Sequence, residues 1–250
     1  LFDRCIRSVS LSSAGKLYLD FARQTLSAWK DLQQVNQMQQ DQPSGAVSLY
    51  CSVTASHSVL TTILSDLRDR QPLIEIKLHT GDQALSLSRL QQGKEDFVIA
   101  ARPDRLDQHI DFKVLSRSEL VFIAPKAPCQ VRQQLSHAKS SNDWSDVPWV
   151  IAESGMSRSR LEQWFRAESI NPSIYAQVSG HEAIVSMVAL GCGVALVPKL
   201  VLTSSPVFDS IEVLSSVTLR QAAIDAEIEI GLCVMKRRIN ETLINAAWCG

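Results

Sequence analysis

The sequence predicts an α/β protein in which one long helix is followed by two open α/β units. Three observations predict this fold class. Residues 12 to 41 carry an apolar face at helical spacing. After Gly45, short apolar runs alternate with segments of helical periodicity. The alternation starts again near Leu120, which favours two units over one.

The composition excludes several other classes of protein. The chain has 250 residues, a net charge of -1 and 45% hydrophobic residues, whereas a disordered chain has low hydrophobicity and high net charge. It contains no apolar run of about 18 residues, so we expect no membrane span and no membrane partner. The near-neutral charge argues against a surface that binds nucleic acid throughout.

The first residue and the cysteines bear on processing and location. The chain opens at Leu1 without a charged segment followed by an apolar one, so we expect no signal peptide and read the chain as a fragment. Its six cysteines lie far apart, at positions 5, 51, 129, 192, 233 and 249. This spacing predicts no zinc site and is typical of buried, reduced thiols in a cytoplasmic protein.

The first predicted element is a helix over residues 12 to 41. Ser12 and Ser13 can cap its start, and Pro43-Ser44-Gly45 breaks the pattern at its end. Apolar or small residues share one face of this helix: Tyr18, Phe21, Thr25, Ala28, Leu32 and Val35. So wide an apolar face must pack against another helix, and we expect that helix to belong to a second copy of the chain. The alternative is an ordinary core helix within one globule.

The first α/β unit is predicted from residue 46 onward. Its strands cover residues 46–53, 73–80 and 97–101, and its helices cover residues 60–67 and 82–90. The third strand is wholly apolar, which is typical of a parallel sheet covered on both faces.

The second unit is predicted from the next set of alternating segments. Its strands cover residues 120–124, 149–152, 174–178, 194–197 and 211–214, and its helices cover residues 131–135, 157–167 and 181–190. A last strand, 227–235, and a last helix, 239–248, have no sheet of their own. We therefore expect both to return to the first unit.

Known catalytic and cofactor motifs are missing from the sequence. The G-C-G run at Gly191–Gly193 follows a helix, so it predicts a helix end and not a dinucleotide site. There is no Walker A loop or G-x-S-x-G turn, and no two histidines lie four residues apart. We expect no cofactor, no metal and no enzymatic activity, although a Ser-His-Asp triad of distant residues stays open.

Polar or small residues follow the ends of several predicted strands. Ligands of open α/β sheets bind beyond the carboxyl ends of the strands, where helix N-termini offer N–H groups to anions. The candidates are Ser52, Thr54, Thr80, Ala101, Arg102, Ser154, Gly180, His181 and Glu182. Singly, each is typical of a helix cap or a turn. Together they predict a cleft between two lobes that binds a small carboxylate.

The opening segment points to a family. L-F-D-R-x-x-R-x-V-x-L-S-S-A-G (Leu1–Gly15) resembles the wing and linker-helix start of the LysR-type transcriptional regulators, whose pattern is L-F-x-R-x-x-R-x-x-x-L-T-x-A-G. Ser12 stands where the family usually has Thr. The long helix, the linker, the strand after Gly45 and the G-C-G-V-A-L-V-P run (Gly191–Pro198) follow in the family's order, so the resemblance covers the whole chain.

The resemblance implies a DNA-binding transcriptional activator. Its implied fold is two Rossmann-like lobes, similar to type II periplasmic binding proteins, after a long linker helix and the remnant of a winged helix-turn-helix. The expected domains are the wing at 1–11, the linker or dimerisation helix and hinge at 12–45, lobe I at 46–115 and 220–250, and lobe II at 116–219.

The wing remnant is where the resemblance implies contact with DNA. Arg4 and Arg7 are expected to bind phosphates there, and the alternative for both is solvated surface charge. Because the recognition helix is absent from this sequence, we do not expect the chain alone to bind an operator specifically.

Three runs are similar to the branch of the family that controls isoleucine and valine biosynthesis: Cys51–Ala55, Ile74–Asp82 and Gly180–Leu196. This similarity implies a cytoplasmic homodimer or homotetramer, RNA polymerase as a further partner, and acetolactate or acetohydroxybutyrate as inducer. Ser52 and Thr54 are then expected to bind the inducer's carboxylate, and His181 or Glu182 its hydroxyl. The alternatives are a two-lobed solute-binding protein and an α/β enzyme acting on a small acid.

Overall fold

The computed structural model describes the chain except residues 6–7, 38–42, 139–140 and 249–250, and the side chains of 3–5, 8–10, 30–37 and 141–142 also lie outside the description. The strands are β1 (Phe2–Cys5), β2 (Ser8–Leu11), β3 (Gly45–Cys51), β4 (Ile74–Thr80), β5 (Phe97–Ala101), β6 (Ile110–Pro125), β7 (Pro148–Ala152), β8 (Ser173–Val178), β9 (Ala195–Pro198), β10 (Ile211–Val213) and β11 (Glu227–Met235). The helices are α1 (Ser13–Gln37), α2 (Val53–Ser58), α3 (Leu60–Arg70), α4 (Ser86–Gln91), α5 (Gln130–His137), α6 (Ser141–Asp146), α7 (Met156–Ala167), α8 (His181–Ala189), α9 (Lys199–Thr203) and α10 (Thr242–Trp248).

The chain begins with a two-stranded ribbon and the long helix. β1 and β2 pair antiparallel. The Gly15 amide donates to Ser12 Oγ at 3.0 Å, so Ser12 caps α1 as expected. The apolar side chains of Leu17, Phe21 and Trp29 are exposed on α1. The alternative of an ordinary core helix is therefore wrong.

The first lobe is built on a sheet in the order β4-β3-β5-β11-β6. β3 pairs parallel with β4 and β5, which confirms the three predicted strands. β11 pairs antiparallel with β5, so the sheet is mixed and not wholly parallel. Leu243 and Ile244 of α10 pack in the same cluster as Val47 and Leu49 of β3, which confirms that the last strand and helix return to this lobe.

The second lobe has the strand order β10-β6-β9-β7-β8. β9 and β10 flank the end of β6, a parallel bridge joins Trp149 of β7 to Val194 just before β9, and β8 pairs parallel with β7. Its core is aromatic. The ring centroids of Phe122 and Trp164 lie 4.8 Å apart, and those of Trp149 and Phe165 lie 4.9 Å apart.

Strands β6 and β11 join the two lobes. The sequence predicted a strand only over residues 120–124, but β6 begins at Ile110 and passes from one lobe into the other. Its first part pairs with β11 in the first lobe, with a register shift between Ile230 and Gly231. Its last part pairs with β9 and β10 in the second. Helices α2, α6 and α9 were not predicted from the sequence, and α10 is shorter than the predicted helix 239–248. The expected domain boundaries stay predictions.

Candidate functional site

A cavity of about 180 Å³ lies between the two lobes, at the carboxyl ends of β5, β7 and β8. The first lobe lines it with Asp82, Gln83, Leu87, Ala100, Ala101 and Pro103. The second lobe lines it with Ser154, Gly155, Met156, Ser157, Gly180 and His181. The wall is mostly apolar with a few polar groups, which is typical of a small-molecule site.

Two helices of the second lobe begin at this cavity. Gly155 precedes α7 with a φ of +92°, and Gly180 precedes α8 with a φ of +85°. Both angles favour glycine, because a Cβ is strained in that region. Residues at the starts of α7 and α8 line the cavity, and a helix N-terminus carries unpaired amides and partial positive charge. The cavity therefore offers hydrogen-bond donors to an anion without a lysine or arginine among its lining residues.

Ser157 and His181 form a polar pair in the cavity wall. Ser157 is buried, and its Oγ lies 2.9 Å from His181 Nε2, within hydrogen-bond distance. The pKa of His181 is lowered from its ordinary value of 6.5 because burial disfavours the imidazolium, although Glu182 and Asp82 oppose the shift. His181 is therefore neutral at neutral pH and contributes hydrogen bonding, not charge.

A second cavity of about 20 Å³ adjoins the first, because Gln83, Ala100 and His181 line both. Ser52 and Thr54 line it. The Ser52 Oγ accepts the Ala55 amide at 3.2 Å and so caps α2.

Thr54 is bound to Glu182 of the other lobe. The Thr54 amide and hydroxyl both donate to Glu182 Oε1, at 2.7 Å and 2.5 Å. Burial raises the pKa of Glu182, but hydrogen bonds from the Thr54 hydroxyl and from the Glu182 and Thr54 amides, with a smaller contribution from His181, leave it lowered from 4.5. The donors that the sequence assigned to a ligand thus hold a carboxylate of the chain itself.

The structure brings seven of the nine sequence candidates to this cleft. Ala101, Ser154, Gly180 and His181 line the larger cavity, Ser52 and Thr54 line the smaller one, and Glu182 contacts Thr54.

Thr80 and Arg102 line neither cavity. The Arg102 amide donates to the Glu229 carbonyl at 2.8 Å, and its guanidinium lies 3.0 Å from the Glu229 carboxylate. Arg102 therefore pairs with β11 and, contrary to expectation, does not supply charge to the cavity. Ligand binding by the nine candidate residues stays a prediction.

Sequence reasoning missed several residues of the cavity wall. Ser157 and Met156 open α7, and Gln83 opens a short 3₁₀ turn that Asp82 caps. These residues follow the end of a strand closely, and that position in the sequence could have identified them as candidates. Ile228 gave no such signal, because it reaches the cavity only through the return of β11 to the first lobe.

The remaining candidates are the two arginines expected to contact DNA and the six residues on the expected pairing face of α1. Arg7 and the side chains of Arg4, Leu32 and Val35 lie outside the described residues. Tyr18, Phe21, Thr25 and Ala28 are exposed on α1, and the Thr25 hydroxyl donates to the Phe21 carbonyl at 2.9 Å.

The described part of the chain shows neither a metal cluster nor a membrane-spanning helix. No group of three or more His, Cys, Asp or Glu residues there is placed to hold a metal ion. None of the helices described is both long and apolar enough to cross a bilayer.

Comparisons with known proteins give consistent matches. The family model of the LysR substrate binding domain matches residues 40–244. The HTH-type transcriptional activator IlvY of Salmonella typhimurium is 43% identical over 249 residues, which cover 99% of this chain and 83% of that protein. The regulator IlvY of Escherichia coli is also 43% identical, over 99% and 82%.

A solved structure shows the same fold. The effector-binding domain of QuiR in complex with shikimate superposes with a TM-score of 0.62 and 19% identity, over 82% of this chain and 93% of that domain. The curated relatives are named as transcriptional regulators and not as enzymes.

Proposed function

From the premise that this chain belongs to the LysR family of transcriptional regulators, we propose that it activates branched-chain amino acid biosynthesis in response to a small acid. The proposed inducer is a 2-keto-2-hydroxy acid such as acetolactate or acetohydroxybutyrate, bound in the inter-lobe cleft. The family makes it a regulator, so the enzyme and solute-transport alternatives are set aside.

The observation that carries the ligand proposal is the cavity of about 180 Å³ at the first turns of α7 and α8. Amides at two helix N-termini suit a carboxylate, and the Ser157–His181 pair suits a hydroxyl or keto oxygen. Apolar residues such as Leu87 and Pro103 suit the short aliphatic part.

The roles of individual residues follow from their present partners. Carboxylate binding by Ser52 and Thr54 requires Glu182 to leave Thr54. Residues at the starts of α7 and α8 line the larger cavity, so we place the carboxylate beside Ser154 and Gly180 and the hydroxyl beside His181. Thr80 and Arg102 receive no ligand contact in this conformation.

Regulators of this family bind DNA and act as oligomers. We propose that this chain forms a homodimer or homotetramer through α1, using Tyr18, Phe21, Thr25, Ala28, Leu32 and Val35. Arg4 and Arg7 contact DNA phosphates, RNA polymerase is a further partner, and the protein works in the cytoplasm, where its DNA lies.

A thermal-shift panel of small 2-keto and 2-hydroxy acids tests the function. We expect 2-acetolactate to raise the melting temperature without being consumed, because a regulator binds its inducer and does not turn it over. We expect His181→Ala to weaken binding about tenfold or more, since it removes a hydrogen bond in a buried site. Glu212→Ala, which alters an ion pair with Arg132 in the second lobe, serves as control.

Two results would contradict this proposal. Consumption of the acid indicates an enzyme, and the absence of stabilisation by any acid of the panel refutes the inducer class. Wild-type affinity in both Ser52→Ala and His181→Ala refutes the residue assignment alone.

A further inference from the structure

We propose that Glu182 is a positioning residue that holds the cleft contracted by latching the second lobe onto Thr54 of the first. The ligand then binds only after this latch opens. The inference rests on the proposed function in one respect, namely that the cleft is the effector site. The latch itself rests on contacts within the chain.

The contact joins the two lobes directly. Glu182 lies in the first turn of α8, whereas Thr54 lies in the first turn of α2, 128 residues earlier. Thr54 is 7% exposed, and its amide and hydroxyl both donate to one carboxylate oxygen. Hydrogen bonds to an ionised acceptor are stronger than neutral ones, and partial burial reduces their competition with water.

Other polar contacts between described residues also cross the cleft. The Ser179 hydroxyl donates to Asp82 at 2.9 Å, and that contact is exposed, so it contributes little to closure. Arg160 is buried and forms a two-point ion pair with Asp104, whose side chain is 58% exposed. Glu182 and Arg160 therefore both hold the lobes together, and Glu182 is the one whose partner, Thr54, lines the smaller cavity.

The size of the cavity indicates that closure opposes binding. About 180 Å³ is below the roughly 300–1,000 Å³ typical of ligand pockets. The cavity of about 20 Å³ beside Thr54 shares lining residues with the larger cavity. When Glu182 separates from Thr54, the two cavities therefore merge into a larger one. A ligand that needs the enlarged cavity binds with an affinity reduced by the fraction of molecules that are open.

Hydrogen exchange at one amide measures the latch without any ligand. Because Thr54 lies in the first turn of α2, its N–H has no carbonyl acceptor within the helix, and Glu182 is its acceptor. We expect Glu182→Ala to speed exchange of the Thr54 amide about tenfold or more, and Glu182→Gln to give an intermediate rate. Exchange in the strand cores β3 and β7 stays unchanged. Glu212→Ala, the matched acidic control in the second lobe, leaves Thr54 unchanged.

The second arm measures the affinity for 2-acetolactate by calorimetry. We expect Glu182→Ala to lower the dissociation constant about tenfold. Removing one negative charge also reduces the repulsion of an anionic ligand. The Glu153→Gln variant measures that effect separately, because it removes a charge from the cavity wall without removing a cross-lobe contact. The gain in affinity for 2-acetolactate in Glu182→Ala must exceed the gain in affinity in Glu153→Gln.

The outcomes separate the latch from the proposed function. Unchanged Thr54 exchange, or faster exchange throughout the lobe cores, overturns the latch. Equal or weaker affinity in Glu182→Ala also overturns it, because Glu182 is then a ligand contact or has no role. Faster Thr54 exchange with no binding of 2-acetolactate by any variant supports the latch and refutes the proposed ligand.

Discussion

His181 sits where its charged form is disfavoured, and this gives its titration a definite sign. Its pKa is lowered from 6.5 by burial, against the pull of Glu182 and Asp82. As the pH falls through 6.5, the unfolded chain binds a proton at this position that the folded chain does not yet bind. The folded state therefore loses stability in the window from pH 6.5 down to the lowered pKa.

We expect wild type to lose stability relative to His181→Gln across that window, by at most about 1.4 kcal/mol per pH unit. The glutamine keeps hydrogen-bonding capacity toward Ser157 but does not titrate. Urea denaturation at a series of pH values measures the difference. Parallel stability curves for the two proteins would contradict the lowered pKa.

The cysteines also differ from residue to residue. The sequence predicted buried thiols, and Cys51 and Cys233 are buried, but Cys129 and Cys192 are only half-buried. Burial raises the pKa of Cys51 to about 11 and that of Cys233 to about 12. The thiolate is the reactive form, so both buried thiols are inert at neutral pH.

We expect a thiol reagent at about pH 8 to modify Cys129 and Cys192 well before Cys51 and Cys233. Peptide mass spectrometry of the native protein over a time course distinguishes the four sites. Modification of all four under denaturing conditions is the control. Early labelling of Cys51 in the native protein would show that β3 opens locally, contrary to its burial.

The close packing of β11 against β6, the two strands that join the lobes, requires a glycine at position 231. A Cβ on Gly231 would lie 2.3 Å from Phe112 Cε1 and 2.7 Å from the Lys113 carbonyl oxygen. Gly231 stands at the register shift in the pairing of β11 with β6, so the backbones approach closely there.

We expect Gly231→Ala to destabilise the protein by about 1–3 kcal/mol, as overpacking does. Gly93→Asn is the matched control, because Gly93 has open space around it and a φ of +67° that Asn tolerates. Thermal unfolding of both variants measures the effect. A melting temperature equal to that of wild type in Gly231→Ala would mean that the strands shift freely.

The elements differ in how far the sequence predicts them, and burial explains the difference. β5 is buried along Phe97–Ala100, so its apolar run is unmistakable. The first part of β6 is mostly half-exposed where it crosses between lobes, so residues 110–119 show neither an apolar run nor a clear alternation. Likewise α6 and α9, of six and five residues, are too short to show a helical period.

The site was predictable wherever a helix starts directly after a strand. Gly180 and His181 were found because a turn residue and a polar residue open α8. The contact of Glu182 with Thr54 was not predictable, since nothing local links residues 128 positions apart. The charge of Arg102 suggested an anion site, but its position just after β5 brings it against Glu229 of β11.

At the scale of the whole molecule, α1 carries an apolar face that the lobes do not cover. Leu17, Tyr18, Phe21, Leu26 and Trp29 are each at least 60% exposed. A helix with such a face is stable in water when it packs against another helix. The family acts as oligomers, and two of these exposed residues, Tyr18 and Phe21, belong to the face that the sequence predicted for pairing.

We therefore expect Phe21→Glu to weaken self-association about tenfold or more, since a buried aromatic at the centre of an interface carries much of its binding energy. The lobes fold on their own cores, so the melting temperature of their transition stays near that of wild type. Leu190→Glu is the control, because Leu190 is an exposed apolar residue of the second lobe, at 82%. Sedimentation over a range of concentrations measures the effect, and unchanged association in Phe21→Glu would place the subunit interface away from α1.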